Sequence, residues 1–410
     1  MDVCYVPWLH MHQPLVFIEN KIVSNLEKML NSKDSRENWD AKLMLRAYKN
    51  PAKYVEMLSS KGFKPKIMLD FSGVLLESLL ELDEKGISEE IVIGNEKVGA
   101  VIKSYLDVLQ KFPKAIEFAG TAYSHCYFPV TPEEDWILQI EEWRETFKRI
   151  FGLRELKKVK GFWLPEMGIP GKKELLKKLI KCIKEYYDWM ILPIQSVQSY
   201  ESLPYEKIIQ LVCKPHLLKC LNEEIIVIFR VPTYFIDQQA GCDAKGVYEK
   251  CLEAKKIFSK SSDKPALVVT ASDGENGNVM MNEFFPNTFL PFFTEMVNEK
   301  ISSLTVSEFL QEFYDEGREV KDEIELKELG ASWIDGHESW MLGPKRVEAI
   351  KRIKELSSEF HKLSEEKKEK VKKWLLIAET SCYVYWGIDY WFEQGKKFAS
   401  LAKEKIKLLK

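Results

Sequence analysis

Seven short apolar runs, each stopping at polar or small residues, constrain the fold of this chain more tightly than any other feature. In order they are VCYVPWLHMHQP, KIMLDFSG, AIEFAGTAYSH, GFWLPEMG, WMILPIQ, EIIVIFRVP and ALVVTASDGEN. They are apolar almost throughout, the pattern of strands buried on both faces. Helical segments lie between most of them, and strands alternating with helices predict a parallel sheet. Seven such units with no strongly hydrophilic edge strand predict an α/β fold closed, or nearly closed, into a barrel. An open doubly wound sheet is the alternative. The clearest helix is TPEEDWILQIEEWRETFKRIFG. Thr131 is its expected N-cap, Pro132 its first residue, Glu134 the partner in a capping box and Gly152 the C-terminal cap.

From about Ser302 the character changes, and the remaining segments are helical by period and propensity. This predicts a barrel over residues 1–302 and a helical region over residues 303–410. One irregular stretch, GASWIDGHESWMLGPKR, interrupts the helices. It carries Trp333, Asp335, His337 and Trp340, more chemistry than a linker needs.

Composition narrows the function. The formal net charge is −3, from 60 basic and 63 acidic residues, which calls for neither a nucleic-acid nor an anionic-membrane partner. No apolar run approaches the ~20 residues of a membrane span. The N-terminal residues lack the basic region and cleavage site of a signal peptide. The eight cysteines include no CxxC pair, so they read as reduced thiols of a cytoplasmic protein. The abundance of Lys and Glu points to a thermophilic source.

In α/β barrels the active site is built at the C-terminal ends of the strands. Those ends supply His10, His12, Gln13, Asp70, Thr121, His125, Glu166, Arg230, Asp273 and Glu275. Glu166 stands out because it closes an apolar strand and is boxed in by Trp163, Pro165 and Met167. A desolvated carboxylate is costly unless paired, hydrogen-bonded or protonated. Alone it would read as a helix cap, but Asp273 closes the seventh strand in the same way. In a barrel of seven strands the fourth and seventh face each other across the mouth. Paired carboxylates across a cleft are the machinery of glycoside hydrolysis. Trp8, Trp163, Trp333, Trp340, Trp386 and Trp391 are candidates for stacking on sugar rings, though each is equally a core residue. Asp335 is a candidate acceptor for sugar hydroxyls. A rival reading uses His10 and His12, with Asp70 or Asp273, as zinc ligands of a mannosidase-like barrel enzyme.

Taken together, LHMHQP, GTAYSHCYFP, GFWLPEMGIP, SDGEN and ASWIDGHESWMLGPKR resemble the five ordered sequence regions of glycoside hydrolase family 57. WLPEMG and DGEN are most similar to its amylopullulanase and α-amylase branch. The late segment SCYVYWGIDYWFEQGKKFASL, with Trp386 and Asp389, is similar to one in the same branch. The resemblance implies a (β/α)7 barrel followed by a helical region, in agreement with the strand count. It makes Glu166 the nucleophile and Asp273 the general acid/base of a retaining mechanism. His10, His12 and Gln13 match a His-x-His-Gln-Pro motif lining the subsite of the reacting sugar. Glu275 falls beside the acid/base, and Trp333 in the fifth region. The implied substrates are α-glucans or maltooligosaccharides, hydrolysed or transferred, without a metal or other cofactor. The family also contains an α-galactosidase. One departure is Ser381 followed by Cys382, where the branch often has an aromatic-rich Ser-Asp segment.

Overall fold

The computed structural model describes residues 1–277 and 283–410. All seven apolar runs are strands: β1 (Val3–Met11), β2 (Ile67–Phe71), β3 (Ile116–Phe118), β4 (Gly161–Trp163), β5 (Trp189–Pro193), β6 (Glu223–Arg230) and β7 (Ala266–Asp273). Parallel ladders join β7 to β1, β1 to β2 and β2 to β3. A second set joins β4 to β5 and β5 to β6. Two backbone contacts connect the sets. Gly120 pairs with Phe162 just past β3, and the Val231 amide donates to the Val269 carbonyl at 2.9 Å just past β6. The ring is therefore closed in the order of the sequence.

Alternation along each strand divides the core into two. Cys4, Val6 and Trp8 of β1 point into the barrel, where they meet Met68, Ala119, Trp163, Ile191, Ile228, Leu267 and Val269. Val3, Tyr5, Leu9 and Met11 point outward against the helices. Both faces are buried, so the strands read as continuous apolar runs. The same alternation carries His10 into the barrel.

Six helices matter for the site: α1 (Ser35–Ser60), α2 (Trp136–Phe151), α3 (Val306–Tyr314), α4 (Pro344–His361), α5 (Glu365–Ala378) and α6 (Asp389–Leu409). The expected cap of α2 is not formed. A 3₁₀ turn over Glu133–Asp135 precedes the helix, because the Thr131 hydroxyl donates to the Tyr127 carbonyl at 3.0 Å. The Thr131 carbonyl in turn accepts from the Trp136 indole at 3.0 Å. Gly152, with φ 87°, does end α2.

Helix α3 begins at a complete capping box between Thr305 and Glu308. Its Val306, Phe309, Leu310 and Tyr314 join the interior cluster and floor the barrel. The barrel's own floor thus lies beyond residue 302, where the sequence suggested a division. Helices α4, α5 and α6 form the C-terminal bundle. All eight cysteines are free thiols. Among the described residues, no helix is long and apolar enough to cross a membrane.

Candidate active site

The parallel register fixes the centre of the site. His10 of β1 lies beside Asp70 of β2 on one side and Asp273 of β7 on the other. His10 Nδ1 meets Asp70 Oδ1 at 2.5 Å, and the Trp8 indole donates to Asp70 Oδ2 at 2.8 Å. His10 Nε2 meets His125 Nε2 at 2.8 Å, and His125 Nδ1 meets Ser381 Oγ at 2.8 Å. A hydrogen-bonded chain thus crosses the mouth from the barrel to the segment between α5 and α6. The His10 ring lies flat on Trp163, with centroids 4.9 Å apart and planes 9° apart.

Glu166 reaches this cluster from a turn after β4. Its φ is +58° and that of Met167 is +47°, left-handed values that side chains with a Cβ seldom adopt. Such backbone costs on the order of 1–3 kcal/mol per residue and persists only when its surroundings over-determine it. Here the Trp333 amide donates to the Glu166 carbonyl at 3.0 Å, while the Trp333 indole donates to Glu166 Oε2 at 2.8 Å. The two chain segments are stapled by an antiparallel pair, Ile169–Pro170 with Gly330–Ala331. A Cβ on Gly171 would stand 2.1 Å from the Gly330 amide, so only glycine permits this approach. His125 Nδ1 lies 3.9 Å from Glu166 Oε1.

Burial and charge set the protonation states. Burial pushes the Glu166 carboxyl up to about 7, reinforced by Asp273 and opposed by His10 and the Trp333 bond. Burial also raises Asp273, against His10, Asn276 and Arg230. Glu275 is raised well above the carboxylate range by burial and by Asp273. Burial opposes charge on His10, but Asp70 outweighs it, and His10 is pushed up to about 9. His12 and His125 are held well below the ordinary value, chiefly by burial and then by neighbouring histidines. The site is therefore a buried imidazolium, two neutral imidazoles and four carboxyl groups.

Of the residues expected from sequence, His10, His12, His125, Glu166, Asp273, Glu275 and Trp333 come together. Glu275 Oε1 accepts from the His12 amide at 3.1 Å. The others do not join them as expected. Trp163 is fully buried, so it is the platform under His10 and not a wall for sugar. Gln13 turns to Asn25, whose Nδ2 donates to its Oε1 at 2.9 Å. Asp335 is 68% exposed and paired with Lys327, and its backbone closes the turn that presents Trp333. Asp389 pairs with Lys345 on the surface at the start of α6. Trp386 is 53% exposed and packs edge-on against Tyr385. Tyr385 does sense the acids, its hydroxyl raised by burial and then by Glu166 and Asp273.

Sequence reasoning missed the partners. Asp70 stood among the strand-end groups with nothing to mark it as the partner of His10, and the helix that follows it is capped by Ser72, which accepts from the Leu75 amide at 3.3 Å. Ser381 and Cys382 carried no signal beyond departing from the branch pattern.

The histidines do not make the zinc site of the rival reading. His10 has committed both nitrogens to Asp70 and His125. Ligand atoms of His12, His125 and Cys382 do fall within 4.8 Å of one another. However, the His12 and His125 rings are stacked, with centroids 4.2 Å apart and planes 6° apart. In-plane lone pairs of parallel rings cannot converge on one tetrahedral ion.

Residues 6–192 match the sequence model of glycosyl hydrolase family 57. Over that segment, somewhat less than half of its length, the chain is similar to the family. The matched segment contains His10, His125 and Glu166 and stops before Asp273. No curated protein matches the chain by sequence. Among solved structures, a family 57 branching enzyme from Pyrococcus horikoshii superposes with a TM-score of 0.66 at 15% identity, covering 99% of this chain and 88% of that one. The 4-α-glucanotransferase of Thermococcus litoralis gives 0.67 at 18% identity, over 99% of this chain and 60% of that one. The α-amylase AmyC of Thermotoga maritima gives 0.64 at 12%, over 100% and 94%. At these identities the likeness is one of fold, the (β/α)7 barrel with a helical C-terminal region. The barrel here brings Glu166 and Asp273 to a buried imidazolium, His10.

Proposed function

We propose that this protein is a retaining α-glycosidase of α-glucans or maltooligosaccharides, with Glu166 as nucleophile and Asp273 as general acid/base. One observation carries the reading. Glu166 is aimed into the cluster by a strained turn and holds an indole hydrogen bond on one oxygen, which with His10 favours its ionised form against burial and Asp273. The ionised member attacks the anomeric carbon, and the protonated member gives its proton to the departing oxygen. Asp273 then takes a proton from the incoming water or sugar hydroxyl, which releases the glycosyl group with net retention. Water gives hydrolysis and a sugar hydroxyl gives transfer. The α-glucan substrate class rests on the amylase and glucanotransferase of like fold. Free, mostly buried thiols support a cytoplasmic location.

The test is nucleophile rescue with an activated aryl α-maltooligosaccharide. Glu166→Ala should lose nearly all turnover, and added azide should restore part of it as a glycosyl azide of inverted configuration. Asp273→Ala with azide should give the retained product. Near-normal turnover in either variant would overturn the assignment.

A further inference from the structure

A cavity of ≈ 260 Å³ lies between α1 and the short hairpin Val92–Lys97. Arg46, Lys49 and Lys53 line it from one stripe of α1, at helical spacings of three and four. Glu56 of the same helix, with Glu96 and Lys97 of the hairpin, completes the charged wall. Both acids are already matched. Lys53 pairs with Glu96, and Lys111 reaches Glu56 at 2.7 Å.

The remaining cations are not matched. Lys49 gives its ammonium to the Val98 carbonyl and forms no ion pair among the described residues. Arg46 makes no hydrogen bond or ion pair among them, although its Nε is buried. A buried donor left without a partner costs about 1–3 kcal/mol, more when charged. Burial lowers the proton affinity of both Arg46 and Lys49, and it outweighs the pull of Glu96 on both and of Asp83 on Lys49.

We infer that this cavity is a binding site for the phosphate group of a phosphorylated monosaccharide. Four cations against two carboxylates leave the charge that a phosphate dianion would balance. The Arg46 guanidinium supplies the planar fork suited to two phosphate oxygens, and Lys49 supplies a point charge beside it. The volume exceeds what a bare tetraoxyanion fills and falls just short of the ~300 Å³ at which drug-sized sites begin, leaving room for one sugar ring. None of the residues lining it belongs to the Glu166–Asp273 cluster.

Titration calorimetry on the full chain with glucose 6-phosphate, inorganic phosphate and glucose tests this. Glucose 6-phosphate should bind with a Kd of ~1 mM or tighter, and glucose should not bind. Arg46→Gln and Lys49→Gln should each weaken binding by about ten-fold, while Arg46→Lys should restore only part of it. Turnover on the aryl maltooligosaccharide should be unchanged in all three. Because three variants are read, one that fails to fold leaves the other two decisive. Binding of inorganic phosphate as tight as that of the sugar phosphate would overturn the inference. So would sugar-phosphate binding that survives the Gln substitutions.

Discussion

Trp333→Phe isolates the bond that holds Glu166 in its ionised form. The indole N–H donates to Glu166 Oε2 at 2.8 Å. A hydrogen bond to a charged acceptor contributes ~1.5–3 kcal/mol, and a tenfold change in proton affinity corresponds to about 1.4 kcal/mol. Losing the bond should therefore raise the proton affinity of Glu166 by roughly ten- to a hundred-fold, from the present pKa of about 7. Since the nucleophile must be ionised, the acid limb of kcat/KM should move the same way, to higher pH. That limb belongs to the Glu166–Asp273 pair and not to one residue. Well below the limb, the active fraction falls in direct proportion to that gain in proton affinity. The variant should thus lose roughly ten-fold or more at pH ~6 and approach the parent on the alkaline side. The Trp333 backbone bond to Glu166 survives the substitution, and a phenyl ring keeps part of the contact with Trp163 and His10. The assay is kcat/KM against pH with an aryl maltooligosaccharide bearing a good leaving group. A uniform loss at every pH, with the limb unmoved, would show that Trp333 acts by packing alone and would refute the reasoning.

Two further substitutions test the surroundings of the site. Phe309→Ala opens a cavity in the barrel floor, where Phe309 is fully buried, and should cost about 3–5 kcal/mol by urea denaturation. A loss under about 1 kcal/mol, far below that range, would mean that α3 does not close the barrel in solution. Glu379, buried beside Asp135, has its carboxyl raised well above the ordinary value by burial and then by Asp135. For a carboxyl raised on folding, stability is complete below the unfolded value near 4.5 and is lost as pH rises through the folded value. Glu379→Gln should therefore raise Tm at pH ~9 and change it little at pH ~4, and a variant curve parallel to the parent's would refute this.

The barrel was legible because both faces of its strands are buried. Strands such as IMLDF and WMILP have no polar side to confuse with a surface helix, and their closing residues mark the mouth. His10, Glu166 and Asp273 were legible for the same reason: polar groups that end apolar strands have nowhere to go but inward. What failed was everything set by pairing between distant segments. Asp70 belongs with His10 only because β1 and β2 are in register there. Ser381 meets His125 across 256 residues of chain. Asp335, Trp386 and Asp389 lie in the right stretches but on the outward sides of their turns. The α2 cap failed because Thr131 spends its hydroxyl on the Tyr127 carbonyl, a local competition that composition does not reveal.

Charge counting connects the site to its proposed chemistry. Four buried carboxyl groups, Asp70, Glu166, Asp273 and Glu275, surround two cations, His10 and Arg230. A buried cluster cannot carry a large net charge cheaply, so two of the four carboxyls hold protons. Asp70 is the natural counter-ion of His10, with the imidazole and the Trp8 indole both donating to it. Glu275, raised well above the ordinary carboxylate range by burial and by Asp273 and with its Oε2 unpartnered among the described residues, is the natural holder of one proton. That leaves one proton and one negative charge for Glu166 and Asp273 together. One ionised and one protonated carboxyl is the state in which a double displacement begins. Trp333 on Glu166 biases which of the two is ionised, while Arg230, stacked on that same indole with its guanidinium 5.7 Å from the ring centre, faces Asp273. Under the proposed roles, the Trp333 loop, which lies beyond the barrel strands, favours the ionised form of Glu166 against burial and Asp273, while Arg230 and His10 act in the same sense on Asp273.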